Sequence, residues 1–136
     1  MGERTRVRLR FSKLGKIRFT SHRDVARIWE RALRRADLPV AYTEGFSPRP
    51  RLSFGLALAT GHESLGEYLD VDLVASADEL DVDGFPARFD ACLPAGFVAQ
   101  GAVVVEPGTT SLQEAVTSCT WRSEVTDLDT GTLLER

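Results

Sequence analysis

The cations Lys13, Lys16, Arg18, Arg23, Arg27, Arg34, Arg49 and Arg51, with the rings of Tyr42 and Phe46 among them, are the residues of this chain whose types suit a polyanion. Guanidinium and ammonium groups neutralise phosphates, and aromatic faces stack on bases. The most constrained part of the set is Tyr42-Thr43-Glu44-Gly45-Phe46-Ser47-Pro48-Arg49-Pro50-Arg51, where two X-Pro bonds restrict the backbone and Gly45 permits a turn. A stiff loop presents its side chains at little ordering entropy. His22, beside Arg23 and Asp24, offers a second chemistry: a group that titrates near neutrality could act as acid or base at a phosphate. The plainer reading is a histidine bonded locally in the first turn of a helix, with Asp24 as part of the cap. His62 lies in a separate loop, so nothing in the spacing pairs it with His22.

Several other patterns carry less. Asp70, Asp72, Asp78, Asp81 and Asp83 lack the glycine turn and closing glutamate of a calcium loop, and solvated strand and helix faces explain them. Cys92 and Cys119 stand in neither a CxxC nor a ligand-like spacing, so they read as packing thiols rather than a disulfide or metal pair. No cofactor and no metal is expected in this chain.

The elements that must position the basic set follow from periodicity. Thr5 to Phe11 alternates, Val7, Leu9 and Phe11 on one face and Arg6, Arg8 and Arg10 on the other, which predicts a half-buried strand. Ser21 followed by Asp24 has the spacing of a capping box. From there Val25, Ile28, Trp29, Ala32, Leu33 and Ala36 recur at helical spacing, with Arg23, Arg27, Arg31 and Arg34 opposite as a cationic ridge. The Gly-containing connection before Ser21 places Lys13, Lys16 and Arg18 near that helix N-terminus, where a phosphate would be favoured. Pro39 ends the helix.

Leu52, Phe54, Leu56 and Leu58, then Leu69, Val71 and Leu73, alternate as a second and a third strand joined by a connection with two glycines. Asp83 is placed to cap a short helix through Phe85, Phe89 and Leu93, stopped by Pro94 and Gly96, and Phe97 to Val105 forms the next strand. The order βαββαβ predicts an α+β fold, a ferredoxin-like sandwich with an antiparallel sheet and both helices on one face. Ser111 to Val116 suggests a helical turn and Thr120 to Val125 a strand. Residues 1–106 are thus expected to form the ferredoxin-like domain. Residues 107–136 are expected to be a C-terminal extension or the beginning of a second, incomplete unit.

A length of 136 residues with 43% hydrophobic and 27% charged residues suits one core. The N-terminus lacks a signal-like apolar run and no stretch reaches the roughly 20 apolar residues of a membrane span, so a cytoplasmic protein without a membrane partner is expected. Net charge is −3, yet residues 1–53 hold 14 lysines and arginines against 5 carboxylates, whereas residues 54–136 hold 3 against 15. Either a partner selects that division, or the two parts neutralise each other.

The run from Arg18 to Leu73 also closely resembles the radical-SAM-linked family, a domain of unknown function found fused to, or encoded beside, radical SAM proteins. The resemblance rests on Arg18-Phe19 before Ser21-His22, Asp24, the stretch Ala32-Leu33-Arg34-Arg35-Ala36, Gly45-Phe46 with Pro48 and Pro50, and Gly61 with Glu63-Ser64. It spans most of residues 5–105, and members of that family look longer after the segment near Trp121. The resemblance implies a radical SAM protein as partner and, through ribonuclease E/G-type neighbours, an RNA-related role. No CxxxCxxC cluster is present, so any radical chemistry would belong to the partner. The expected function is a non-catalytic accessory domain that binds RNA or an RNA-linked substrate through the basic helix and proline loop. The alternatives are a metal-independent endoribonuclease using His22 and a module that binds only protein.

Overall fold

A strand of nine residues, β1 (Thr5–Lys13), runs through the middle of a four-stranded antiparallel sheet in the computed structural model, which describes residues 3–125. β1 is followed by a 3-10 turn (Gly15–Phe19) and the helix α1 (His22–Arg35). Then come β2 (Leu52–Phe54), β3 (Ser64–Leu73), the short helix α2 (Phe85–Asp90), β4 (Phe97–Val105) and a single turn, α3 (Leu112–Ala115). The strands lie in the order β2-β3-β1-β4. The protein is therefore mixed α and β, with few helices. Among the described residues, no helix is long and apolar enough to cross a membrane.

The alternation in β1 sorts the sheet into two faces. Val7, Leu9 and Phe11 join Leu69, Val71, Leu73, Phe97 and Ala99 beneath Val25, Trp29 and Leu33 of α1 and Phe85 and Phe89 of α2, in one buried cluster. Trp29 is wedged between Phe11, at a ring separation of 4.9 Å, and Phe89, at 5.4 Å. Such tilted and edge-on contacts add to the burial of apolar area that holds the helices down. On the opposite face, Arg6 and Arg8 reach across to β3: Arg6 Nε lies 2.8 Å from Asp72 Oδ1, and Arg8 Nε 2.8 Å from Asp70 Oδ1. Part of the charge division along the chain is thus spent within the sheet. Each arginine is held above its ordinary pKa, chiefly by the hydrogen bond to its aspartate.

Several expected elements differ from those observed. β1 continues two residues past Phe11, through register shifts against both neighbours. Those bulges turn Phe11, Ser12 and Lys13 all away from solvent. β2 stops at Phe54, so Leu56 and Leu58 of the expected second strand are unpaired, with Leu56 exposed. Ser21 caps α1 as expected, its Oγ accepting the Asp24 N–H at 3.2 Å, but the reciprocal half of the box is replaced: the Asp24 carboxylate turns 3.7 Å from Arg27. Asp83 does not cap α2. It sits inside a 3-10 turn (Val82–Gly84), and Gly84 takes the cap position with Pro86 in the first turn.

Beyond Val105 the sheet ends. α3 forms with Ser111 as its cap and packs against β2 and β3, burying Leu112. The strand expected over 120–125 is not formed: those residues pair with no strand among the described residues, and Trp121 packs edge-on against His62. Residues 126–136 of the expected C-terminal part lie outside the described residues.

Candidate nucleic-acid interface

α1 and the proline loop face each other across an open cleft of about 370 Å³. The helix wall carries Arg23, Ala26, Arg27, Glu30 and Arg34, and the loop wall carries Ser47, Pro48 and Arg49. At 3.6 residues per turn, positions 23, 27, 30 and 34 stay within about 60° of one another, so they form a single stripe along the helix. Arg31 lies about 70° from the middle of that stripe on the same count. It lines a smaller groove with Arg35, Cys92 and Pro94 on another side of α1, so the expected ridge is split between two surfaces.

The loop wall is rigid for a reason beyond its prolines. The Thr43 N–H donates to the Arg49 carbonyl at 2.8 Å, the Arg51 N–H to the Ala41 carbonyl at 2.8 Å, and the Arg49 N–H to Thr43 Oγ1 at 3.1 Å. These bonds close the loop into a hairpin-like excursion, with Tyr42 paired to Pro50. Its stem is laid on β3: the Ala41 N–H donates to the Asp72 carbonyl at 2.8 Å, and the Asp72 N–H to the Arg51 carbonyl at 3.2 Å. Gly45, at φ +123°, turns the tip in a conformation that side chains disfavour. Phe46 stands fully exposed beside it.

The cleft gathers charge of one sign. Four guanidinium groups face a single carboxylate, that of Glu30. Among the described residues, no carboxylate lies within ion-pair distance of Arg23, Arg34 or Arg49, and Arg27 has only the exposed contact to Asp24 at 3.7 Å. An exposed pair of that length holds a guanidinium weakly, by at most about 1 kcal/mol. Among the described residues, the acidic half of the chain pairs with Arg6 and Arg8 of β1 and with none of the cleft arginines.

The remaining basic residues divide. Lys16 is exposed in the 3-10 turn before α1, and Arg18 there donates Nη1 to the Gly15 carbonyl at 2.9 Å. Arg51 donates Nε to the Tyr42 carbonyl at 3.4 Å, so it braces the loop rather than lining the cleft. Tyr42 is partly exposed at the loop stem. Lys13 has to be removed from the set: it is 1% exposed, and its Nζ donates to the Thr20 carbonyl at 2.8 Å. Burial lowers its pKa below the ordinary 10.5, and the charge of Glu67 opposes that shift. The phosphate site expected just before α1 loses its nearest lysine for the same reason, and the first-turn carboxylate of Asp24 disfavours an anion there.

His22 is the first residue of α1, half-buried, with its ring edge-on to Phe54 at 5.1 Å and outside the residues that line the cleft. His62 lies against Trp121, in a different loop. Glu30, Ser47 and Pro48 belong to the cleft without having been singled out. Glu30 could have been, since it shares the helical phase of Arg23 and Arg27; no sequence signal announces that Ser47 and Pro48 fold against that stripe. Among the described residues there is no cluster of His, Cys, Asp and Glu able to hold a metal ion.

No curated protein matches the chain. One family does match, over residues 6–135, a span that takes in every strand, both cleft walls and the tail beyond β4. Cleft and scaffold therefore fall within one family unit, and the chain belongs to the family described as an uncharacterized protein conserved in bacteria, DUF2344.

Proposed function

We propose that the cleft between α1 and the proline loop binds the phosphate backbone of RNA, or of a substrate linked to RNA, and that the domain is a non-catalytic accessory of a radical SAM protein. The observation that carries the binding is the convergence of Arg23, Arg27, Arg34 and Arg49 on one open cleft with Glu30 as its only carboxylate. Arginine in such a setting stays charged and fits phosphate oxygens with its fork of donors. The exposed ring of Phe46 beside the cleft gives a base a face to lie on. The radical SAM partner rests on the family resemblance alone. The same reading takes the scaffold as a ferredoxin-like unit, supported by the βαββαβ element order and the strand order β2-β3-β1-β4.

The test is a titration with total cellular RNA at several salt concentrations. Four phosphate contacts release counterions so that log K falls with a slope of about −3 in log salt, and a fourfold rise in salt weakens binding about 50-fold. Arg23→Ala combined with Arg49→Ala reduces that slope by about half, with thermal unfolding unchanged. A flat salt response, or a double variant that binds like the parent, removes the proposal. Capture of a radical SAM protein that survives nuclease treatment, without any RNA binding, would favour the reading as a protein-binding module.

A further inference from the structure

A second group of exposed rings lies at the end of α1 where the cleft begins. Phe19, four positions before Arg23, is 62% exposed, and the Arg18 guanidinium carbon stands 4.4 Å from its ring centroid. The loop between β2 and β3 is fastened to the same place: the Gly61 N–H donates to the Arg18 carbonyl at 2.6 Å, and Glu63 Oε2 accepts the Gly15 N–H at 2.6 Å. That loop brings up His62, against which Trp121 packs edge-on at a centroid distance of 5.3 Å, with Trp121 itself 64% exposed. Three segments distant in sequence thus bring Phe19, His62 and Trp121 into the neighbourhood of the Gly15–Arg18 backbone.

The arrangement is costly for a structural role. A large ring left mostly in water forgoes much of the burial energy it could supply, about 25 cal/mol per Å² of apolar area. Here the neighbours brace one side of each ring and leave most of it in water: the Arg18 guanidinium lies over one face of Phe19, and His62 and Trp121 meet edge to face. Rings braced on one side, mostly exposed, and beside fixed positive charge match how single strands are held. Each base offers a π-face, and the phosphates that follow need cations close by. A duplex hides those faces, and a base-free polyphosphate has none. The arginine stripe of the cleft runs from Arg23 to Arg34, about 16 Å along the helix axis, and the ring group extends that track past its Arg23 end.

We propose that Phe19, His62 and Trp121, next to Arg18, form a stacking platform for unpaired bases, so that the polyanion taken by the arginine cleft is single-stranded nucleic acid. This rests on the cleft reading and adds strandedness and a base-binding surface to it.

Tryptophan emission reports on the platform directly, because the chain has 2 tryptophans and the other, Trp29, is fully buried in the core. The difference between the parent and Trp121→Phe isolates the Trp121 signal. The probes are an oligoadenylate of about 12 nucleotides, within the usual site size for single strands, a duplex of equal length, and inorganic polyphosphate. Oligoadenylate should quench the Trp121 emission while the other two leave it unchanged. Trp121→Ala and Phe19→Ala should each weaken oligoadenylate binding about tenfold, and leave polyphosphate binding within about twofold, since only stacking is removed.

If oligoadenylate binds, is weakened by Arg23→Ala with Arg49→Ala, and neither quenches Trp121 nor responds to its removal, the platform is refuted and the cleft reading stands. Quenching that persists undiminished in the arginine double variant refutes the cleft and keeps the platform. An oligoadenylate that does not bind at low salt overturns both.

Discussion

Lys13 shows what a bulge does to a functional reading. Register shifts on either side of Phe11 break the alternation of β1, and Phe11, Ser12 and Lys13 are buried one after another, so the lysine leaves solvent for a reason the period of two does not carry. The buried ammonium costs stability while charged, and a lowered folded-state pKa fixes the sign of the pH dependence: the cost is fully present below the folded value and fades as pH rises to the unfolded value near 10.5. The parent should therefore gain stability relative to Lys13→Met as pH is raised toward 10.5, in denaturant melts at successive pH values. At neutral pH, Lys13→Ala should lose about 2–4 kcal/mol through the cavity and the orphaned Thr20 carbonyl. Lys13→Met, which keeps the volume, should change stability by less than about 1.5 kcal/mol. Gly96 offers a second residue-scale test. At φ +104° a Cβ there would stand 2.6 Å from Ile17 Cγ2 and 2.7 Å from the Leu14 carbonyl oxygen, so Gly96→Ala should cost about 2 kcal/mol or more in equilibrium unfolding.

Between elements, the two Arg–Asp pairs of β1 and β3 separate a strong contact from a weak one. Asp70 is 3% exposed and receives both Arg8 Nε and Nη2, at 2.8 and 3.0 Å, whereas Arg6 and Asp72 lie nearer solvent. Asp70→Ala strands a guanidinium in a mostly covered site and should destabilise by about 3 kcal/mol. Asp72→Ala should cost about 1 kcal/mol or less, and only the second loss should shrink markedly in high salt. Chemical denaturation at two ionic strengths distinguishes them. The long helix, its cap residue and the central strand were legible in the sequence, because their periodicity runs long enough to exclude the other period, whereas the six-residue α2 was placed by Phe85 and Phe89 but with the wrong cap and with Leu93 beyond its end. What escaped were features set by partners distant in the chain. Leu56 and Leu58 alternate as a strand should, yet the ladder with β3 closes with the Gly55 N–H on the Tyr68 carbonyl at 3.1 Å, and the residues after it stay unpaired. Thr120 to Val125 has strand-like composition and pairs with no strand among the described residues. Half of the candidate site was legible in the same way: the stripe Arg23, Arg27 and Arg34 follows from helical phase, while its union with Arg49 depends on where a hairpin-like loop is anchored.

For the whole molecule, the sum of −3 misleads and the distribution informs. Carboxylates of β3 answer the guanidinium groups of β1 across the sheet, on the face away from the helices. Among the described residues, Arg23, Arg34 and Arg49 meet no carboxylate at ion-pair distance and Arg27 only the exposed Asp24, so a protein of pI near 5.4 keeps a locally positive surface. Its field should steer polyanions at low ionic strength and fade over a Debye length of about 8 Å at physiological salt. Association rates for RNA should accordingly fall steeply with salt in stopped-flow measurements. Arg6→Ala, at a position where a carboxylate already stands, should leave those rates within about twofold. Both walls of the cleft are rooted in one scaffold: α1 is pressed onto the sheet by Trp29 and Leu33, and the loop stem is hydrogen-bonded to Asp72 of β3. Neither can swing toward the other without breaking main-chain bonds or lifting a helix from its bed. The gap is consequently a fixed gauge with its width decided at folding, and under the proposed binding it would admit only what already fits.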